Sequence, residues 1–377
     1  MQSVALAWLV LEMSNYHLKV SLVTTFGALP VLVFALYGGV VASRVDKRRA
    51  LILLQSLFLL EAIALGTLTV LHWITVPWVY ALALFAGLVS AFEIPIRQAY
   101  LIELVGKTDL MTAIALNSSA FNVSRVVGPA IAGIVSATLG AAACFFVNAA
   151  SFLAVLWGLV HIRPEPGPAD RNRQGIGLEE AMGNIRAGLA HVFGSRWPRT
   201  LVILTAVFTL FGSALLAILP GFARDHLGRD VGGFGALTSA FGIGAAAAAL
   251  SIAGFGVRAG RERLALSAGL TLGGAVLLLG VVPHFFAAVV FLFVAGLAMA
   301  TNAVMTNTIL QTTAPDHLRA QVLGLYSFIV IGLAPFGAMQ AGLVAESFGP
   351  AAAIAIGGGV CLAAAGIGGW RLRRRVP

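Results

Sequence analysis

The sequence predicts an all-α polytopic membrane protein built as two six-helix bundles, and three observations carry that expectation. The chain of 377 residues is 59% hydrophobic and only 10% charged, where a soluble domain carries about a quarter charged residues. Its apolar residues run in stretches of about 20, the length that crosses about 30 Å of hydrocarbon at 1.5 Å per residue. Its cations gather in every second connection between those stretches. Of the 24 Lys and Arg, only Lys19, Arg97, Arg125, Arg224 and Arg229 fall elsewhere, Arg97 at the inner end of an apolar stretch.

The turn Gly38-Gly39-Val40-Val41-Ala42-Ser43-Arg44-Val45-Asp46-Lys47-Arg48-Arg49 sets the orientation. It joins an apolar run from about Val20 to Ala42 to another from about Ala50 to Leu71, and a connection this short forces the two helices antiparallel. Arg44, Lys47, Arg48 and Arg49 mark it as cytoplasmic, because short loops rich in Lys and Arg stay inside. Alternation then places every other segment. In the full-length chain both termini are expected on the cytoplasmic side of the cell (inner) membrane.

Before this turn, Met1 to Met13 is apolar, but about 13 residues are too few to span. No basic stretch precedes it, which argues against a signal peptide. It reads as the outer part of a first helix whose start is missing. After the turn, the fourth helix is expected from about Trp78 to Tyr100, the fifth from Ala113 to Thr138 and the sixth from Ala141 to His161. A polar stretch rich in Arg, Pro and acids follows. Within it Leu178, Ala181, Met182, Ile185, Leu189 and Val192 recur at helical spacing, as in an amphipathic linker helix lying on the membrane surface. The seventh helix is expected over Leu201 to Phe222, the eighth over Gly235 to Val257, the ninth ending near Val282 and the tenth near Leu310. The eleventh covers about Ala320 to Ala345, and the twelfth ends at Trp370. The organisation is thus a first bundle at residues 1–161, a linker at 162–199, a second bundle at 200–371 and a basic tail at 372–377.

Composition also excludes function classes. The net charge of +9 is the positive-inside signal and meets anionic lipid headgroups, so nucleic acid is not an expected partner. Cys144 and Cys361 lie inside apolar runs and read as small core residues. The seven histidines are dispersed, and no Gly-x-x-x-x-Gly-Lys loop occurs. No enzyme activity, cofactor or metal is expected. A small-molecule substrate, protons and the bilayer are the expected partners of a monomer.

The halves match each other weakly. Gly38, Asp46 and Lys47 correspond to Gly254, Glu262 and Arg263 at one constant offset. Leu116, Ser118, Gly128, Ala132, Gly133 and Val135 correspond to Leu325, Ser327, Gly337, Ala341, Gly342 and Val344 at another. Two parallel six-helix repeats joined by a linker are a known transporter plan.

The turn from Gly39 to Arg49 resembles the loop between the second and third helices of the major facilitator superfamily: Gly, three residues, Asp, Arg, one residue, Gly and two basic residues. Arg97-Gln98-Ala99-Tyr100, Asp109-Leu110, Ala113-Ile114-Ala115-Leu116-Asn117-Ser118 and Arg125-Val126-Val127-Gly128-Pro129-Ala130-Ile131-Ala132-Gly133 resemble the branch of enterobactin-type siderophore exporters and related drug exporters. Met1 to Val10 resembles the middle of that branch's first helix. The resemblance implies the major facilitator fold and an inner-gate role for Gly39, Ser43, Arg44, Asp46, Lys47, Arg48 and Arg49. It also departs from the family. Ser43 stands where the family has an acid thought to latch onto the end of the eleventh helix, and serine offers hydrogen bonds without charge. Gly87 to Ala91 lacks the mid-membrane arginine of some proton-coupled relatives.

Several polar residues stand out against the apolar background. Ser118, Asn122 and Arg125 fall at i, i+4 and i+7 and share one face of the fifth helix. Arg125 lies near the midplane, where a charge costs roughly 2.5–3.5 kcal/mol and must face a cavity or a partner. It either lines the substrate path or bonds carbonyls or Gln2 across the helix interface. Gly128, Pro129 and Gly133 are expected to break the fifth helix. The resemblance links a Gly-Pro signature there to exporters that exchange substrate for protons, although Ala132 replaces one family glycine. Gly332, Pro335 and Gly337 form the corresponding break in the eleventh helix. Glu61 and Glu12 are the candidates for proton coupling, since an acid held away from water can load and release a proton, although the third helix often faces lipid in this fold. Glu93 and Arg97 read as a local salt pair around Pro95. Asn302, Thr306, Asn307 and Gln311 make a polar stripe on the tenth helix that either faces the cavity or glues helices together. The expectation is a proton-coupled exporter of an amphipathic drug or siderophore working by alternating access. An importer or facilitator on the same fold and a transport-inactive membrane sensor are the alternatives.

Overall fold

The structure, a computed structural model, describes residues 1–106, 109–162, 189–190, 192–255, 260–315 and 318–373. It is all-helical, with no strand among the described residues. The first half holds α1 (Gln2–Ser14), α2 (His17–Arg44), α3 (Lys47–Val70), α4 (Val76–Val105), α5 (Leu110–Leu139) and α6 (Ala141–His161). The second holds α7 (Arg196–Val207), α8 (Leu215–Gly221), α9 (Val231–Phe255), α10 (Arg261–Val281), α11 (Phe285–Thr313), α12 (Arg319–Gly332), α13 (Ala334–Phe348) and α14 (Pro350–Arg373).

Ten stretches among the described residues are long and apolar enough to cross a membrane, so this is a multi-pass membrane protein. The remaining two of the twelve expected crossings are α1, with 13 residues, and α5, with 30. In α5 the half nearer the basic turns carries Asn117, Ser118, Ser119, Asn122, Ser124 and Arg125, which lowers its hydropathy. The amphipathic helix expected in the linker lies outside the described residues, apart from Leu189 and Val192.

Two crossings, the seventh and the fifth, differ from expectation, and the eleventh divides where it was expected to. The seventh crossing is not one regular helix: π turns at Phe208–Gly212 and Phe222–His226 flank α8, which contains Pro220. A missing proline donor and π turns both shift the hydrogen-bond register, and π turns gather at functional positions. The eleventh crossing divides at Leu333 into α12 and α13, as Gly332 and Pro335 suggested. Pro335 sits in the first turn of α13, where its absent donor has no intrahelical acceptor to lose. Pro129, by contrast, does not divide α5, which runs unbroken from Leu110 to Leu139. One lost hydrogen bond is absorbed by a helix gripped on both sides of the proline.

The repeat is visible in the packing. α2 lies on α4 and α3 on α6; in the second half α9 lies on α11 and α10 on α14. Backbones touch in each half. A methyl on Gly87 would come 2.2 Å from Gly27 O, and one on Gly296 would come 2.0 Å from Phe241 O. The turns into α6 and α14 use Gly140 (φ 83°) and Gly349 (φ 84°), a conformation that side chains disfavour. The two halves meet along α2–α13 and α5–α9. The matched glycines Gly133 and Gly342 both lie in these seams, one 3.0 Å from Gly235 Cα and the other 2.6 Å from Ser21 Cβ, measured from an added methyl.

Candidate functional site

The seam between the halves is shut at one end and open at the other. Away from the basic turns, Leu18, Ser21 and Thr25 of α2 run against α13, and Thr25 Oγ1 donates to Pro335 O at 3.1 Å. The seam holds as far as Leu32, whose Cδ1 would be 2.8 Å from a methyl on Gly332. Seven residues further along α2, Gly39 meets nothing within 4 Å. Phe328, one turn from Gly332 toward the basic turns, is 61% exposed. The halves therefore splay toward the end that carries the basic turns.

A cleft of about 310 Å³ lies in that open end, lined by Ala303, Val304, Asn307 and Thr308 of α11 and Tyr326 of α12. Val304 of α11 and Ile252 of α9 pack against the same buried cluster of Leu201, Ala265, Met305 and Ile309. Its groups are neutral: an amide, a hydroxyl and a phenol whose Oη donates to Ala303 O at 3.4 Å. A smaller cleft of about 90 Å³ is lined by Arg97, Gln98, Tyr100, Leu101 and Leu104 of α4 and Asn117 of α5. At the offset that pairs Leu116 with Leu325, Gln98 pairs with Asn307 and Asn117 with Tyr326. The two clefts are thus repeat counterparts.

The polar stripe expected on the tenth helix divides. Asn307 and Gln311 lie on the open side and bond each other. Asn302 and Thr306 are buried, and Asn302 Nδ2 donates to Ala265 O of α10 at 2.8 Å. The repeat counterpart of Asn302 is Glu93, which is also buried. Glu93 Oε1 accepts from Gln55 Nε2 of α3 at 3.4 Å and from Arg97 Nε at 2.8 Å. The local Glu93–Arg97 pair is present as expected.

Glu61 does not face lipid. It is 3% exposed and closed in by α1 and α6. Gln2 Nε2 donates to Glu61 Oε1 at 2.8 Å and Oε2 at 2.9 Å, and Asn148 Nδ2 donates to Gln2 Oε1 at 2.6 Å. A buried carboxylate needs such donors, since burying it unpaired is costly. Sequence reasoning missed Asn148, although a lone amide in the apolar run Ala141–His161 was a usable signal. Glu12, the other acidic candidate, sits near the end of α1 and accepts from Trp8 Nε1 at 2.6 Å.

The described part of the basic turn docks onto its own half. Asp46 caps α3 by accepting from Arg49 N at 2.9 Å. Lys47 pairs with Glu103 at the end of α4. Arg48 donates to Leu159 O at 2.7 Å and Val160 O at 2.6 Å, the last carbonyls of α6. Arg44 is exposed. The side chain of Ser43 lies outside those described, as do those of Ser118, Asn122 and Arg125, whose backbone places all three on α5. Pro129 and Gly133 lie in the α5–α9 seam, where a methyl on Gly235 would come 2.9 Å from Pro129 O.

Comparison with known proteins follows the same lines. The family model MFS_3, described as transmembrane secretion effector, matches residues 1–376. The multidrug efflux pump Tap of Mycolicibacterium fortuitum is 29% identical over 353 residues, covering 92% of this chain and 85% of that protein. The enterobactin exporter EntS of Escherichia coli O1:K1 / APEC is 27% identical over 352 residues, covering 93% and 82%. In structure, the nucleoside transporter NupG superposes with a TM-score of 0.75 at 12% identity over 99% of this chain and 96% of that one, which speaks to the fold alone.

Proposed function

The chain belongs to the transmembrane secretion effector family of the major facilitator superfamily, and on that premise we propose that it exports an amphipathic small molecule in exchange for protons by alternating access. The observation that carries this reading is the seam, shut from Leu18 to Leu32 and open beyond Gly39 over the cleft at Asn307 and Tyr326. Such a gap admits a ligand from one side only. With the basic turns cytoplasmic, that side is the inner one, and the arrangement is the loading state of an exporter in the inner membrane. The cleft offers neutral hydrogen-bonding groups on an apolar wall, which suits amphipathic drugs or siderophores of the kind named for the relatives Tap and EntS. On α5, Ser118, Asn122 and Arg125 complete the substrate path, and Glu61 is the carboxyl that takes up the returning proton. Glu12, exposed near the far end of α1, is the second candidate for that role. The basic turn, docked on its own half here, latches the inner end in the opposite state.

The test is accumulation of a fluorescent cationic dye in cells making the full chain, with a protonophore control and an Asn307→Ala/Tyr326→Ala variant beside it. Lower accumulation, reversed by the protonophore or the double variant, is the expected result. Equal accumulation with and without the protein, together with unchanged siderophore secretion, would overturn the exporter reading.

A further inference from the structure

At the shut end, the turn joining α1 to α2 is held from both sides by residues of the second half. α1 ends at Ser14 with Asn15 in the left-handed conformation (φ 56°), leaving carbonyls of its last turn without intrahelical donors. Arg224 comes to this end as well: its Nη1 donates to Leu11 O at 3.1 Å, beside the Asn15 N–H that the same carbonyl accepts at 2.9 Å, and to Asn15 Oδ1 at 2.8 Å. α2 begins at His17 behind Tyr16, which provides no side-chain cap. Glu346 of α13 provides it, since its Oε2 accepts from His17 N at 2.9 Å and Leu18 N at 3.5 Å. A cation thus meets the negative end of α1 and an anion the positive end of α2, the arrangement that helix dipoles favour. The His17 ring completes the contact. Its Nε2 is 3.2 Å from Asp225 Oδ2, and the ring packs on Gly221, where an added methyl would come 2.2 Å from Nδ1. Arg224 and Asp225 both sit on the π turn Phe222–His226, an insertion that re-aims side chains.

Helix caps ordinarily come from the helix's own neighbourhood. Here Glu346, from the other half, caps α2, and Arg224, also from the other half, adds a second donor at the end of α1, so both contacts last only while the halves are together. Glu346 is exposed and Asp225 partly so. Water can replace each bond on separation, which keeps the contact weak enough to open. We propose that Arg224, Asp225 and Glu346, closing on the Asn15–Leu18 turn with Gly221 as the seat of His17, form the outer gate of the transport cycle. This rests on the alternating-access reading above.

The experiment uses the full chain in lipid nanodiscs, where both faces are accessible, with a membrane-impermeant maleimide. Native Cys144 and Cys361 are fully buried, so the parent gives the blank. A Thr25→Cys reporter sits within the shut seam and a Gly39→Cys reporter in the open end. Glu346→Ala and Arg224→Ala are each expected to raise labelling at the first reporter about tenfold, the factor carried by one hydrogen bond to a charged group, and Gly221→Ala is expected to raise it by wedging a methyl against the His17 ring. Labelling at the second should fall. Ser347→Ala, next to Glu346 but bonded within its own helix, is the control and should change neither. Circular dichroism confirms that each variant is folded. Unchanged labelling at the first reporter in all three folded variants overturns the gate and leaves the exporter reading standing. A rise there without a fall at Gly39→Cys supports the latch and counts against alternating access.

Discussion

One amide of Gln2 holds both oxygens of Glu61, at 2.8 and 2.9 Å, and Asn148 fixes that amide from a third helix. In the exchange of substrate for protons proposed above, a carboxyl enclosed by α1, α3 and α6 would load its proton only when those helices shift. Glu61→Gln keeps the volume and one of the two acceptors of Gln2 Nε2 but cannot release a proton. In proteoliposomes it should abolish uphill, pH-driven export and retain downhill exchange of preloaded substrate. Uphill export at the parent rate would remove Glu61 from the coupling step. Glu61→Ala should in addition cost about 1–3 kcal/mol of stability, because it leaves the Gln2 Nε2 donor unsatisfied in the interior.

Asn302 and Asn307 lie little more than one helical turn apart on α11, yet they should fail in different assays. Asn302 joins α11 to α10 through Ala265 O. Asn302→Ala should lower thermal stability by about 1–2 kcal/mol, the size of an interhelical polar bond in a membrane protein, with the substrate half-saturation unchanged. Asn307 lines the open cleft. Asn307→Ala should leave thermal unfolding unchanged and raise the half-saturation about fivefold, the equivalent of one net hydrogen bond. The reverse pattern would place the cleft elsewhere.

How far the sequence could be read follows from the range of each interaction. The apolar runs and the sixth helix at Ala141–His161 were legible because each is a local property of composition and length. The division at Leu333 was legible through Gly332 and Pro335, yet the same reasoning failed at Pro129, because the grip of neighbouring helices outweighs one lost bond. The fate of Glu61 was not legible. Its partners stand on helices remote in sequence, and nothing in the periodicity of α3 says which face is covered. The clamp on the α1–α2 turn was equally hidden, since Arg224 and Glu346 read locally as ordinary loop charges.

The backbone contacts inside each half lead to a test of packing. Gly296 touches Phe241 O so closely that any side chain must push α9 and α11 apart. Gly296→Val should destabilise by at least about 1–3 kcal/mol, since backbone cannot move aside as a side chain does. Gly87→Val should behave alike at the repeat counterpart in α4. Gly274→Val, on α10 where nothing lies within 4 Å, should stay close to the parent in thermal unfolding. Equal losses at all three would mean that close backbone approach does not set the cost, since valine is a better helix former than glycine.

In the basic turn, stability and the proposed gating can be tested apart within a few residues. Arg48 ties down the last carbonyls of α6 with two bonds, and a cation at a helix C-terminus gains from the dipole as well. Arg48→Ala should cost about 1–3 kcal/mol, and Lys should restore only part of it, because it lacks the planar fork. Asp46→Ala removes the cap of α3 and should cost about 1 kcal/mol. Arg49 is exposed and 3.6 Å from Asp46, so Arg49→Ala should change stability by less than about 0.5 kcal/mol. Arg44, also exposed, should be equally silent in unfolding. If the turn latches the inner end in the opposite state, Arg44→Ala and Arg49→Ala should nevertheless slow dye export, because that state is the one in which these cations meet the second half. Full export in the Arg44/Arg49 double variant, with unfolding unchanged, would leave the turn a structural connection fixed by Arg48 and Asp46 and remove it from the gate.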